Sequence, residues 1–185
     1  MGRRILFLGP PGAGKGTQAE LLARAIGVPH ISTGAMLRDA IAQGSELGKQ
    51  VEAVVDSGAL VSDDLVLALV EERLGREDAQ CGYLLDGYPR NVAQATSLSD
   101  VVGADAIEVT LLLEVDSDEL VTRLINRSAQ QGRADDAEQV IRHRLGVYLN
   151  ETAPLIEHYG SNVVTVDGTG AIDEIFARIV LALAG

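Results

Sequence analysis

The sequence predicts an α/β fold in which a parallel five-stranded sheet lies between two layers of helices. Three observations lead there. Short apolar runs alternate with longer helical patterns along the chain, as in a parallel sheet covered on both faces. The first apolar run passes through a glycine-rich loop straight into a helix. And 185 residues with 46% hydrophobic content can bury one sizeable core, roughly 70% of the surface the unfolded chain exposes.

The first strand is expected at Arg4 to Leu8. It leads into Gly9-Pro-Pro-Gly-Ala-Gly-Lys-Gly-Thr17 and then a helix beginning near Lys15 and running to Ile26. Glycines at 9, 12, 14 and 16 let the backbone curl round a polyphosphate and aim its N–H groups at the oxygens. Lys15 supplies a point charge, and the helix start adds unsatisfied N–H groups and the positive end of its dipole. This is a phosphate-binding loop, with one departure: Gly16 follows the lysine where Ser or Thr is usual, and the hydroxyl comes one residue later, at Thr17.

A second strand is expected at His30 to Ile31, with His30 read as structural, and helical pattern follows from Ala35. It breaks at Gly44-Ser45, where Ser45 caps a helix from Glu46 to Asp56 that ends at Ser57-Gly58. Ser62 is expected to cap the next helix, whose first turn holds Asp63 and Asp64 and whose buried face carries Leu65, Val66, Leu69 and Val70. Residues 32 to 61 thus form a small helical excursion. Tyr83 to Leu85 reads as a buried strand with Asp86 at its carboxyl end, the edge where open parallel sheets bind ligands. A carboxylate there can hold Mg²⁺, directly or through water, although a surface turn acid is the plainer alternative. Asn91 to Ser99 reads as helix and Ile107 to Val115 as the fourth strand. Asp116-Ser-Asp-Glu119 has capping-box spacing and opens a helix with Arg123 and Arg127. These lie four residues apart on one face, where an anionic ligand or the helix's own carboxyl end would offset their repulsion. Ser128 to Asp136, with Arg133, is polar and loop-like. A long helix from Ala137 to about Tyr159 sets Arg144 on the flank of an apolar stripe, in need of a protein carboxylate or a ligand, with a kink possible at Pro154. The fifth strand, Val163 to Val166, meets Asp167-Gly-Thr-Gly170, and Ile172, Ile175, Phe176, Ile179, Val180 and Leu183 stripe a final helix.

Composition narrows the function classes. A net charge of −12 argues against nucleic acid or acidic membrane as partner. No apolar run reaches the ~20 residues that span a bilayer, and the amino terminus does not read as a secretory signal, so a cytoplasmic protein is expected. The single cysteine, Cys81, rules out an internal disulfide and a four-cysteine zinc site. A phosphate loop, a candidate metal-holding aspartate and arginines from separate segments meet at one sheet edge, which suits phosphoryl transfer.

Four stretches carry a resemblance to the adenylate kinases over nearly the whole chain: Gly9-Pro-Pro-Gly-Ala-Gly-Lys-Gly-Thr-Gln18, Ile31-Ser-Thr-Gly-Ala-Met-Leu-Arg38, Gly82-Tyr-Leu-Leu-Asp-Gly-Tyr-Pro-Arg-Asn91, and Arg133-Ala-Asp-Asp136 with Arg144 downstream. The resemblance implies a P-loop three-layer fold with a core (1–31, 62–125, 137–185), an AMP-binding segment (32–61) and a short lid (126–136). It implies that Gly12, Ala13, Gly14, Lys15, Gly16 and Thr17 hold the ATP phosphates, that Arg123 and Arg127 reach ATP, and that the backbone at Gly170 meets its adenine. AMP would lie against Thr33, Arg38, Ala59, Leu60, Val61, Gly87, Tyr88, Pro89, Arg90 and Gln94. Arg133 and Arg144 would bridge the phosphates, so that Lys15, Arg90, Arg123, Arg133 and Arg144 carry the chemistry. Mg²⁺ with ATP is implied, held at Asp86 through water. Ala35 stands where the family usually has an acid. The lid has only about eleven residues and no cysteine, resembling zinc-free members. The expected partners are ATP and AMP, with no nucleic acid or membrane, and a monomer is the default.

Two rivals remain at this stage. A UMP/CMP kinase of the same build typically has alanine where Thr33 stands and asparagine near Gln94. A nucleotide-dependent switch would want an Asn-Lys-x-Asp base-recognition motif, and the sequence has none.

Overall fold

The structure, a computed structural model, describes residues 3–131, 135 and 137–184. Among these, β1 (Arg4–Leu8), β2 (His30–Ser32), β3 (Tyr83–Asp86), β4 (Val109–Glu114) and β5 (Val163–Asp167) form one sheet in the order β2-β3-β1-β4-β5. Every pairing is parallel. Alternate residues of each strand face opposite sides, and this divides the core in two. Leu6, Leu8, Leu85 and Leu112 point to one layer. It contains α4 (Asp63–Leu74), α5 (Val92–Val102) and α8 (Pro154–Tyr159), through Val66, Val70, Ala95, Leu98 and Leu155. Ile5, Phe7, Leu84, Leu111 and Leu113 point to the other. There α1 (Lys15–Ile26), α6 (Ser117–Gln131) and α9 (Ile172–Ala184) contribute Ala19, Leu22, Leu120, Ile175 and Ile179. The expected three-layer α/β fold is what forms.

Between β2 and α4 lie α2 (Thr33–Ala42) and α3 (Glu46–Asp56). The Ser32 hydroxyl caps α2 by accepting from Ala35 N at 3.4 Å, and the Ser45 hydroxyl caps α3 by accepting from Gly48 N at 3.0 Å. Ser32 also continues β2 one residue beyond expectation, because it pairs in register with Asp86.

Four local expectations are corrected. Residues 128–131, expected to be loop-like, are the last turn of α6, which runs to Gln131. Ser62 precedes α4 but makes no capping hydrogen bond; its residue is exposed, and only its backbone carbonyl enters the helix, accepting from Val66 N. At α6 the capping box does not form, although Asp116 still caps the helix one residue early. Asp116 Oδ1 accepts from Asp118 N at 2.9 Å, whereas Glu119 turns to Arg123 one turn on, at 2.8 Å, a charge-assisted pair that wins over a neutral N–H. The long helix after Ala137 is three pieces: α7 (Glu138–Val147), a π-helical turn (Tyr148–Thr152) and α8. Pro154 is the cause. It has no N–H to continue the ladder, so Ala153 N reaches back five residues to Tyr148 O at 2.8 Å, and the helix restarts with Pro154 in its first turn.

Candidate active site

The chain crosses from β1 to β2 on one side and from β3 to β4 on the other, so the carboxyl end of β1 is a switch point in the sheet, where α/β folds leave a crevice. A cleft of about 720 Å³ opens there, within the usual range of small-molecule sites.

The glycine loop forms its floor. Gly12 and Gly14 have left-handed φ values of 87° and 91°. A Cβ on Gly12 would stand 3.0 Å from Leu120 O and Leu124 Cγ, so the loop lies tight on α6. Gly14 is the N-cap of α1 and offers no side chain, leaving the first-turn N–H groups without a side-chain partner, as an anion site requires. Lys15 Nζ folds back over the loop and donates to Gly9 O (2.7 Å) and Pro10 O (3.0 Å). Burial, partly opposed by Asp86 and reinforced by Arg90, Arg144 and Arg127, lowers Lys15 to about 8. Gly12, Gly14, Gly16 and Thr17 line the cleft with Lys15, while Ala13 is fully buried beneath them.

Asp86 ends β3 beside this loop and is buried, not a surface turn acid. Its Oδ2 is 3.4 Å from the Ser32 hydroxyl and 3.5 Å from His30 Nε2, and it would be 3.6 Å from a Cβ on Gly16. Burial pushes the Asp86 carboxyl up, but His30 together with the charges of Lys15 and Arg90 outweighs it, and the group ends below the usual carboxylate range. His30 was expected to be structural only; its neighbour is Asp86.

A smaller cavity adjoins the cleft. It is walled by Thr33, Arg38, Ala59, Leu60, Val61, Gly87, Arg90 and Gln94, and closed by Asp135 and Arg144. Gly87 O accepts from both Thr33 Oγ1 and Arg90 Nε at 2.9 Å, which fixes the Arg90 guanidinium toward the cavity wall. Burial lowers Arg38 and Arg90 from the ordinary arginine value, and Arg144 adds to this at Arg90; arginines remain cations even so. Arg144 Nη1 donates to both Asp135 Oδ2 and Asp135 O at 2.9 Å. The protein carboxylate expected as one partner for Arg144 therefore exists. On α6, Arg123 bonds Glu119 and donates to Gly168 O at 3.0 Å, and both Arg123 and Arg127 line the cleft.

Of the residues picked from the sequence, three stand apart from the cavities. Tyr88 is fully buried, its hydroxyl 3.3 Å from Gln94 O and pushed up to about 12 by burial. Ala13 is covered by its own loop. Gly170 is exposed, beside Glu174 and Arg178. Pro89, joined to Tyr88 by a cis bond, lines the cleft. Arg133 and Asp136 lie outside the described residues. Sequence reasoning missed Ser32, Asp63 and Asp135 as neighbours of the site. Only the β2–β3 register could have placed Ser32 against Asp86, and Asp63 reaches Gln94 across 31 positions.

The sequence model of the family described as adenylate kinase matches residues 7–164. An adenylate kinase of Synechococcus sp. (strain RCC307) is 52% identical over 188 residues, covering 100% of both chains. One from Mycobacterium sp. (strain MCS) is 50% identical over 182 residues, 97% of this chain and 98% of the relative. One from Stenotrophomonas maltophilia (strain R551-3) is 48% identical over 186 residues, 98% of this chain and 100% of the relative. With a full-length match of this strength on a parallel sheet that carries a phosphate loop at its switch point, the chain belongs to the adenylate kinase family.

Proposed function

We propose that the protein reversibly transfers the γ-phosphoryl group of ATP to AMP, giving two ADP, and so balances the adenine nucleotides. One observation carries this reading beyond the family: the cleft over the phosphate loop and the smaller cavity share Arg38, Gly87, Arg90 and Arg144 as walls. Two phosphate-bearing ligands in these spaces would meet at those cations.

In this reading the loop N–H groups of residues 12–17 and Lys15 hold the ATP phosphates. Arg38 and Arg90 hold the AMP phosphate, and Thr33 and Gln94 face its base. Arg123, Arg127, Arg133 and Arg144 gather round the donor and the transferring group. Phosphoryl transfer asks the protein for alignment and neutralised charge more than for a base, and the arginines supply both. Segment 32–61 serves as the AMP-binding unit and 126–136 as a short lid over the core formed by the rest. Exclusion of water favours AMP over water as acceptor.

The residues fit Mg²⁺ bound with ATP. Asp86 is an oxygen donor held in its anionic form beside the loop, and Thr17 adds a hydroxyl that lines the same cleft. Among the described residues no three acids, histidines or cysteines cluster as a metal cage, which suits an ion that takes most of its ligands from phosphates and water. When bound, Mg²⁺ would neutralise part of the phosphate charge. Zinc has no part in this reading, because the lid segment contains no cysteine. A cytoplasmic monomer completes it.

Thr33 and Gln94 favour AMP over UMP or CMP as acceptor. The test is ADP formation from ATP with AMP, UMP, CMP and GMP in parallel, for the wild type and Arg38→Ala. The expected result is strong preference for AMP, with Arg38→Ala raising KM for AMP and leaving KM for ATP nearly intact. Turnover with UMP or CMP exceeding that with AMP would overturn the acceptor assignment.

A further inference from the structure

Gln94 is 2% exposed, yet it lines the smaller cavity. Its amide is held at both ends. Oε1 accepts from Arg90 N at 2.7 Å, and Nε2 donates to Asp63 Oδ1 at 2.6 Å. These partners determine the orientation by chemistry alone, since a backbone N–H can only donate and a carboxylate can only accept. Turning the amide over would set N–H against N–H at Arg90 and oxygen against oxygen at Asp63. Asp63 itself sits in the first turn of α4, outside the cavity wall, 3.4 Å from Asn91 Nδ2; Asn91 Oδ1 in turn accepts from Gln94 N at 2.8 Å.

We propose that Asp63 is a specificity-determining positioning residue, which selects adenine over 6-oxopurines by locking the Gln94 amide in one orientation. The proposal rests on the reading that the smaller cavity takes the AMP base. What the lock leaves to a ligand is one Nε2 hydrogen and one Oε1 lone pair, in fixed order. Adenine presents an acceptor at N1 and a donor at its 6-amino group. Hypoxanthine and guanine present the reverse, a donor at N1 and an acceptor at O6, and they would be matched only by the turned-over amide. An unlocked glutamine can adapt to either edge; the locked one cannot.

The test compares kcat and KM for AMP and for inosine monophosphate, with ATP saturating, in the wild type, Asp63→Asn, Asp64→Asn and Gln94→Glu. An asparagine at 63 can donate as well as accept, so it tolerates both orientations. Asp63→Asn is expected to lower the preference for AMP over inosine monophosphate by about tenfold or more, a site's usual loss when a hydrogen-bonding match is relaxed. The change should fall mainly on the two acceptor KM values and leave KM for ATP unchanged. Asp64→Asn removes the same charge from the same helix turn and should leave the preference as it was. An unchanged preference in Asp63→Asn, or an equal fall in Asp64→Asn, overturns the proposal. Gln94→Glu separates it from the reading beneath: if that variant keeps the wild-type preference, the base does not lie at Gln94 at all. If only Asp63→Asn keeps it, the lock alone is wrong. Should Asp63→Asn fail to fold, the Gln94 side-chain amide signal of the wild type, identified by its loss in Gln94→Glu, decides. One proton shifted far downfield by the carboxylate supports the lock, and a solvent-like position refutes it.

Discussion

Gly58→Ala separates two effects that the structure superimposes at one residue. Gly58 follows α3 with φ at +75°, and its N–H closes the helix on Val55 O at 3.0 Å. An alanine in that left-handed conformation costs about 1 kcal/mol wherever the segment lies. For a chain of this size that lowers Tm by about 2–4 °C. The second effect exists only while segment 32–61 touches α7. A Cβ on Gly58 would stand 2.5 Å from Arg144 Cγ and 2.8 Å from Val140 Cγ1. Neither gap admits a methyl group, and overpacking of this kind costs about 1–3 kcal/mol, which lowers the population of the closely packed arrangement about 5- to 150-fold. The same methyl displaces Arg144, which closes the smaller cavity with Asp135. Steady-state kinetics and a thermal melt on one preparation read both effects. KM for AMP should rise within that range and kcat should fall, while Tm drops only a few degrees. A variant that loses the few degrees of Tm but keeps the wild-type KM for AMP and kcat would refute the reasoning, because the packed contact would then have no place in turnover.

Lys15→Met should abolish nearly all phosphoryl transfer, a loss of about 3 kcal/mol or more in transition-state stabilisation, and the fold should survive, because a half-buried cation with a lowered pKa opposes folding at neutral pH instead of supporting it; turnover near wild type would sink the loop assignment. With Lys15 lowered from 10.5 to about 8 in the free protein, kcat/KM for ATP should fall about tenfold per unit above pH 8, whereas kcat should hold to higher pH once the polyphosphate favours the charged form. The sign for stability is the opposite: between about 8 and 10.5 the unfolded lysine keeps a proton that the folded one has lost, so this group's contribution to stability rises with pH. A flat kcat/KM profile to pH 10 would contradict the first part. Activity should require Mg²⁺ and survive a zinc-selective chelator with Mg²⁺ in excess; its loss under that chelator would contradict a zinc-free lid.

Local signals in the chain were enough for the layers and for most of the site. The strand-to-loop-to-helix run at Ile5 to Ile26 forms as its glycines and apolar spacing demand, and the alternation Ile5, Phe7 against Leu6, Leu8 assigns both faces of the sheet. Arg38, Arg90 and Arg144 converge as expected. Much of what was not legible depends on contacts between distant segments. His30 and Ser32 meet Asp86 only through the β2–β3 register. Asp63 reads locally as a first-turn helix acid, yet its carboxylate serves Gln94. Ser62 has a capping residue's identity but not its hydrogen bond, and Glu119 has a capping-box position but a stronger partner at Arg123. At Asp63 and Glu119 local propensity describes an isolated helix end, and a tertiary or charged partner decides instead. Pro154 promised a kink; the chain answers with a π turn ahead of it.

The central claim is that two nucleotides lie phosphate to phosphate in one continuous space walled by Arg38, Arg90 and Arg144. Calorimetry with a ligand that joins two adenosines through five phosphates tests it most directly. The account predicts one ligand per chain, affinity far above that of ATP or AMP alone because a single molecule supplies both anchors without a second loss of translational freedom, and exclusion of both ATP and AMP while it is bound. Binding no tighter than ATP, or a complex that still takes up AMP, would contradict it.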